Sequence, residues 1–176
     1  MASTKWVIDT SHSEIVFKVR HLMITNVTGS FGSFSSEVET DGDDFTSARI
    51  SFSAPIASIS TGNEQRDGHL KNADFFEVEK YPEIRFTGNG LKEKGEGEYE
   101  LEGDLTIKDV TKKIKLNVEA GGVTKDPWGQ TKAGFSVTGK INRKDFGVNW
   151  SAVTEAGGVV VSDEVRILAE VQYVKQ

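Results

Sequence analysis

The 176-residue chain has no cysteine, which removes disulfides, thiolate zinc sites and cysteine nucleophiles together. Proline is scarce at 3 residues, and beside 18 glycines that scarcity suits a sheet protein with many turns. No stretch approaches the roughly 18 uninterrupted apolar residues of a membrane-spanning helix, so no integral membrane segment is expected. A surplus of positive charge is missing too. Lys+Arg 21 against Asp+Glu 27 leaves a net charge of -6, which argues against nucleic acid and against electrostatic docking on anionic membranes. Charged residues at 27% and hydrophobic residues at 36% describe a soluble folded chain, read as one domain over residues 1–176. The opening residues, Met1 to Asp9, hold no apolar core of signal-peptide length, so a cytoplasmic location is expected.

Period-two alternation runs through most of the chain. In Glu14–His21 one face carries Ile15, Phe17, Val19 and His21, and the other carries Glu14, Lys18 and Arg20. The same pattern returns around Ile50 and Phe52, Ile84 and Phe86, Leu101 and Leu105, Ile114 to Val118, Phe135 to Ile141, and Val165 to Tyr173. Each reads as an antiparallel strand with one wet and one buried face. Asp126-Pro127-Trp128-Gly129 suits a type I turn, Lys94 to Gly97 a glycine-rich bend, and Lys108-Asp109-Val110-Thr111 a tight connection without glycine.

One segment departs from the alternation. Thr61-Gly62-Asn63-Glu64 has the spacing of a capping box, which predicts two helical turns over Gln65 to Asn72. A second irregular stretch, Asn142 to about Ser162, is longer than most connections in compact domains. About eight strands with one short helix leave a sandwich or a closed barrel, and successive hairpins favour an up-and-down barrel without edges. The inward list is bulky, with Phe17, Phe31, Phe34, Phe52, Phe86 and Phe135. A barrel of this size is either filled by its side chains or holds one small ligand, and periodicity does not choose between them.

Specific motifs add to the pattern. Trp6-Val7-Ile8-Asp9-Thr10-Ser11-His12-Ser13, Val19-Arg20-His21 and Gly29-Ser30-Phe31 stand near the start. Ser58 to Thr61, Arg66-Asp67-Gly68-His69-Leu70, Asp74-Phe75-Phe76 and Tyr81-Pro82-Glu83-Ile84-Arg85-Phe86 follow. Gly103-Asp104-Leu105-Thr106-Ile107 and Arg143-Lys144-Asp145-Phe146-Gly147 complete the series. In this order, over nearly the whole chain, they resemble the YceI-like family. The resemblance implies an all-β fold, an eight-stranded antiparallel up-and-down lipocalin-like barrel with one short helix and an elongated apolar cavity. It also implies a polyisoprenoid ligand such as a prenyl quinone, or in some members a fatty acid or its amide. Many members are periplasmic or secreted, and a homodimer is compatible with the resemblance. The family often has glycine where this chain has Asp109.

Given that resemblance, a lipid tail is expected against Phe17, Val19, Phe31, Phe34, Ile50, Phe52, Ile84, Phe86, Leu101, Leu105, Phe135, Val137, Ile141, Ile167 and Val171. A headgroup is expected near the helix and the 142–162 connection, within range of His21, Arg66 or His69. Each polar candidate has a structural reading beside the functional one. Arg66, Asp67 and His69 either lock the helix over the barrel or line its mouth, Arg85 and Arg143 carry the same ambiguity, and His21 is either a hydrogen-bonded core residue or a ligand contact. The three histidines match no metal spacing and no nucleophile motif accompanies them, so no metal, cofactor or catalytic residue is expected. The function expected is a non-enzymatic carrier, storage or sequestering protein for an isoprenoid or other long-chain lipid. Acid–base chemistry by His21 and His69, or a structural barrel with a filled core, are the competing readings.

Overall fold

Strands with one dry face must bury that face, and here they do so by curling into a closed ring. The computed structural model describes residues 2–22, 24–73, 75–149 and 161–176. Among these are eleven strands: β1 Ser3–Ile8, β2 Glu14–His21, β3 Thr25–Phe31, β4 Ser35–Asp41, β5 Asp44–Pro55, β6 Ile59–Ser60, β7 Glu83–Gly95, β8 Glu98–Ile107, β9 Val110–Lys125, β10 Thr131–Asn142 and β11 Glu164–Lys175. They form eight staves. β1 and β2 pair with opposite halves of β11 and so make one interrupted stave. β3 and β4 make the second, since β4 pairs with β1 and β5 while β3 pairs with β2 and β6. β6 continues β5 beyond a short 3-10 turn, and β7 to β11 complete the circle, every pairing antiparallel. The β1–β11 pairing closes the ring, and among the described strands only the two-residue β6 has a single partner.

The break in the first stave has a polar cause. The Asp9 carboxylate accepts from the Ser11 backbone N–H at 3.0 Å and the Ser11 hydroxyl at 2.6 Å, folding Thr10–His12 into a 3-10 turn. His12 Nδ1 at 2.9 Å and Lys132 Nζ at 3.0 Å meet its other oxygen. Together, with the Ser11 hydroxyl foremost, these contacts hold the Asp9 carboxyl well below the usual carboxylate range.

The two ends of the barrel differ. At one end tight hairpins join β4 to β5, β7 to β8 and β9 to β10. There the interior is packed solid. Trp6 is 1% exposed and donates its indole N–H to Thr40 Oγ1 at 3.2 Å. The Phe45 ring leans on it at 4.9 Å, and Phe135 meets Phe45 edge-on at 5.1 Å. Val38, Ala48 and Ala133 fill the gaps. At the other end lie helix α1 (Glu64–Lys71) and, of the 143–163 connection, the described residues 143–149 and 161–163.

Helix α1 starts differently from the sequence expectation. Its N-cap is Asn63, whose side chain accepts from the Arg66 N–H, rather than Thr61. Thr61 is instead drawn to the helix by Asp67, which accepts both its N–H (2.8 Å) and its hydroxyl (2.6 Å). Arg66 completes the loop by donating Nε to Thr61 Oγ1 and Nη2 to Thr61 O. A carboxylate that reaches the preceding loop wins over the local Thr–Glu spacing.

The β8–β9 connection places Lys108 and Asp109 at φ 52° and 60°, the left-handed conformation of a two-residue mirror-image turn. Asp109→Gly is expected to raise stability by about 0.5–1 kcal/mol, since glycine adopts this conformation freely and aspartate does so at moderate cost. A rise in the urea midpoint at unchanged slope would register it, and a fall would refute it.

Candidate functional site

Above the packed end, the barrel is hollow. A cavity of about 390 Å³ runs between the staves toward α1, within the range of roughly 300–1,000 Å³ typical of small-molecule sites. Glycines make the room. The Phe17 ring lies directly over Gly29, its partner on β3, and the Phe86 ring lies over Gly103 on β8. A Cβ at either glycine would overlap the ring, and at Gly103 also the Thr87 carbonyl. Leu116 uses Gly139 in the same way. Rings that lie flat along the wall leave the axis empty, whereas rings that project inward would fill it.

Thirteen of the fifteen residues expected around a tail line this cavity: Phe17, Val19 and Phe31 from the first two staves, Ile50 and Phe52 from β5, Ile84 and Phe86 from β7, Leu101 and Leu105 from β8, Val137 and Ile141 from β10, and Ile167 and Val171 from β11. Phe34 and Phe135 are not on its lining. Phe34 sits in the break between β3 and β4, where strand alternation no longer sets its direction, and stacks on Phe52 at 6.5 Å. Phe135 follows a register shift in the β9–β10 pairing and joins the packed end with Phe45 and Tyr173.

The three headgroup candidates, His21, Arg66 and His69, all line the cavity at its α1 end. Arg66 is engaged with Thr61 as described, and the His69 ring stands edge-on to Phe75 at 5.0 Å. His21 pairs with Val161 through the backbone. Of the 142–162 connection, residues 150–160 lie outside the described residues. Arg143 is 5% exposed and also lines the cavity. Its guanidinium donates to the carbonyls of Ser162 (3.0 Å), Val148 (2.8 Å) and Val161 (3.4 Å), with Asp163 at 3.7 Å. Burial pulls its pKa down, opposed by the Asp163 charge. Arg85 lies on the outer face beside Glu83.

Other lining residues were not anticipated. Ile15, Ile107, Ile114, Leu116, Val165, Ala169 and Tyr173 extend alternations already visible in the sequence, so the signal for them was present. Leu70, Phe75, Phe76 and Val148 come from the irregular connections, where no period marks a face. Ser36 is polar, and only its parity with Val38 and Thr40, between Glu37 and Glu39, marks it as interior. Among the described residues no group of three or more His, Cys, Asp or Glu is placed to hold a metal ion, and no helix is long and apolar enough to cross a membrane.

A closed ring of eight antiparallel staves around an apolar hollow, with a helix at one end, defines this protein as a hollow lipocalin-like barrel. The chain belongs to the YceI-like family, whose domain model matches residues 6–173. It is 37% identical over 171 residues to a UPF0312 protein of Staphylococcus aureus, covering 97% of each chain. The YCEI protein of Campylobacter jejuni superimposes with a TM-score of 0.77 at 35% identity, over 89% of this chain and 90% of that one. BcnA of Burkholderia cenocepacia shares the fold, with a TM-score of 0.81 at 21% identity over 94% and 98% of the two chains. So does a polyisoprenoid binding domain from Saccharophagus degradans, with a TM-score of 0.67 at 15% identity over 97% and 98%.

Proposed function

We propose that this protein binds an amphiphilic isoprenoid lipid, of prenyl quinone or polyprenol type, in the barrel cavity, and acts as a carrier, storage or sequestering protein. The observation that carries this reading is the predominantly hydrocarbon wall between α1 and the packed end, kept open by the Phe17 and Phe86 rings lying on glycine. The fold it shares with a polyisoprenoid binding domain supports the reading. Each CH₂ taken from water into such a wall contributes about 0.8 kcal/mol, so a partly buried prenyl chain gains several kcal/mol without any polar contact. Such binding rewards chain length and discriminates weakly between similar chains.

Phe52→Trp separates a hollow barrel from a filled one. Phe52 faces the cavity, so the larger ring is expected to be accommodated with less than about 1 kcal/mol lost, while affinity for added farnesol drops. A filled core would instead lose roughly 1–3 kcal/mol by overpacking. Extraction and mass spectrometry of protein purified from a host rich in prenyl quinones should recover lipid at near one per barrel. No recovered lipid and no binding of added farnesol would defeat the reading.

A further inference from the structure

The cavity wall is hydrocarbon along its middle; polar side chains line it at the α1 end and again at its foot. Along β11 the lining runs Val165, Ile167, Ala169, Val171 and Tyr173, from the α1 end down to the packed end. Eight residue steps at about 3.3 Å make a wall of roughly 26 Å along the strand. At its foot, Tyr173 meets Ser36 of β4, and both line the cavity. Both are buried, Ser36 at 3% exposure and Tyr173 at 7%.

The hydrogen bonds of this pair fix its polarity. Ser36 Oγ lies 2.6 Å from the Ser51 carbonyl, to which it can only donate. It lies 2.8 Å from Tyr173 Oη. A serine hydroxyl has one proton, and Ser51 takes it, so the Tyr173 phenol must donate to Ser36. Tyr173 Oη then has lone pairs left and no proton to offer. Burial pushes the phenol's pKa up, which keeps it protonated at neutral pH. At the other end of the cavity, the Arg66 and Arg143 guanidiniums donate to Thr61 and to backbone carbonyls.

We infer that the Tyr173–Ser36 pair is a hydrogen-bond-accepting subsite, and that the cavity takes an isoprenoid alcohol with its hydroxyl seated at the closed end. The inference rests on the cavity reading proposed above and narrows it, favouring a prenol over a quinone. A hydroxyl donates to Tyr173 Oη and leaves the existing pair intact. A ketone or ether oxygen at the same place sets lone pair against lone pair, or must take the phenol proton and strand Ser36 Oγ without its donor. The chain then runs up the wall toward α1.

The test compares farnesol with farnesyl methyl ether, which has the same chain and oxygen but no proton to donate. Titration calorimetry would be run on wild type, Tyr173→Phe and Ser36→Ala, with the urea midpoint of each read alongside. Wild type is expected to prefer the alcohol by roughly five- to tenfold, the worth of one neutral hydrogen bond. In Tyr173→Phe that preference should shrink several-fold. In Ser36→Ala the phenol proton is released from its partner, and the preference should reverse toward the ether. Because each comparison is a ratio within one protein, a general loss of affinity cancels. Equal affinities for both probes in wild type would overturn the subsite while leaving the cavity reading standing. No binding of either probe to wild type would overturn both.

Discussion

Arg143→Leu is expected to destabilise the fold by about 3–5 kcal/mol, since it leaves several buried carbonyls without a donor. The side chain ties the segment after β10 to the segment before β11 by bonding the carbonyls of Val148, Val161 and Ser162. Leucine supplies comparable bulk and none of the donors. For a domain of this size the loss corresponds to a fall in Tm of roughly 6–20 °C. Arg143→Lys keeps the charge and offers its donors from a single point, so it should recover only part of the difference. The ion pair itself matters little, because Asp163 is half exposed and 3.7 Å away. Asp163→Asn should therefore cost under about 1 kcal/mol. Equilibrium urea unfolding of the three variants decides the matter: an Arg143→Leu loss no larger than that of Asp163→Asn would show that the carbonyl contacts are not what ties the two segments.

Gly29→Ala should close the hollow. Phe17 rests on Gly29, and an alanine Cβ there would occupy the space of its ring. The neighbour must swing off the wall, and the open direction is the cavity that Phe17 already lines. The expected stability loss is moderate, about 1–3 kcal/mol, but binding of farnesol should fall much further, because the displaced ring takes ligand space. Shortening the ring should undo this. Gly29→Ala combined with Phe17→Leu is expected to regain most of the affinity, a non-additive result for residues in contact. If affinity is unchanged in Gly29→Ala while stability drops, the glycine serves packing alone. Gly103→Ala is a less clean probe, since the added methyl meets the Thr87 carbonyl as well as Phe86.

The staves were legible in the sequence because an antiparallel sheet with one wet face writes its period directly into residues such as Ile15, Phe17 and Val19. Hollowness was not legible from the period. An inward phenylalanine reads the same whether its ring crosses the axis or lies on a glycine of the next strand, and only the register of Phe17 against Gly29 distinguishes the two. Phe34 and Phe135 lie off the lining for a related reason: alternation assumes an unbroken ladder, and each sits at an interruption. Arg66 and His69 were singled out from the short helix and His21 from the strand alternation; all three line the cavity, and Arg66 is tied to Thr61. Ser36 and Tyr173 were passed over as a pair because 137 residues separate them, and their proton arrangement depends on a third group, the Ser51 carbonyl.

The join between β11 and the interrupted first stave has a consequence for assembly. Every other neighbouring pair of staves is consecutive along the chain, so hairpins can zip one after another with little loop entropy to overcome. The last seam must wait for residues more than 140 positions apart, such as Phe17 and Ile167, to meet. On the ribosome, the first stave stays unsealed on one side until nearly all of the protein has emerged, and during that interval its bare amides can recruit a neighbouring nascent chain.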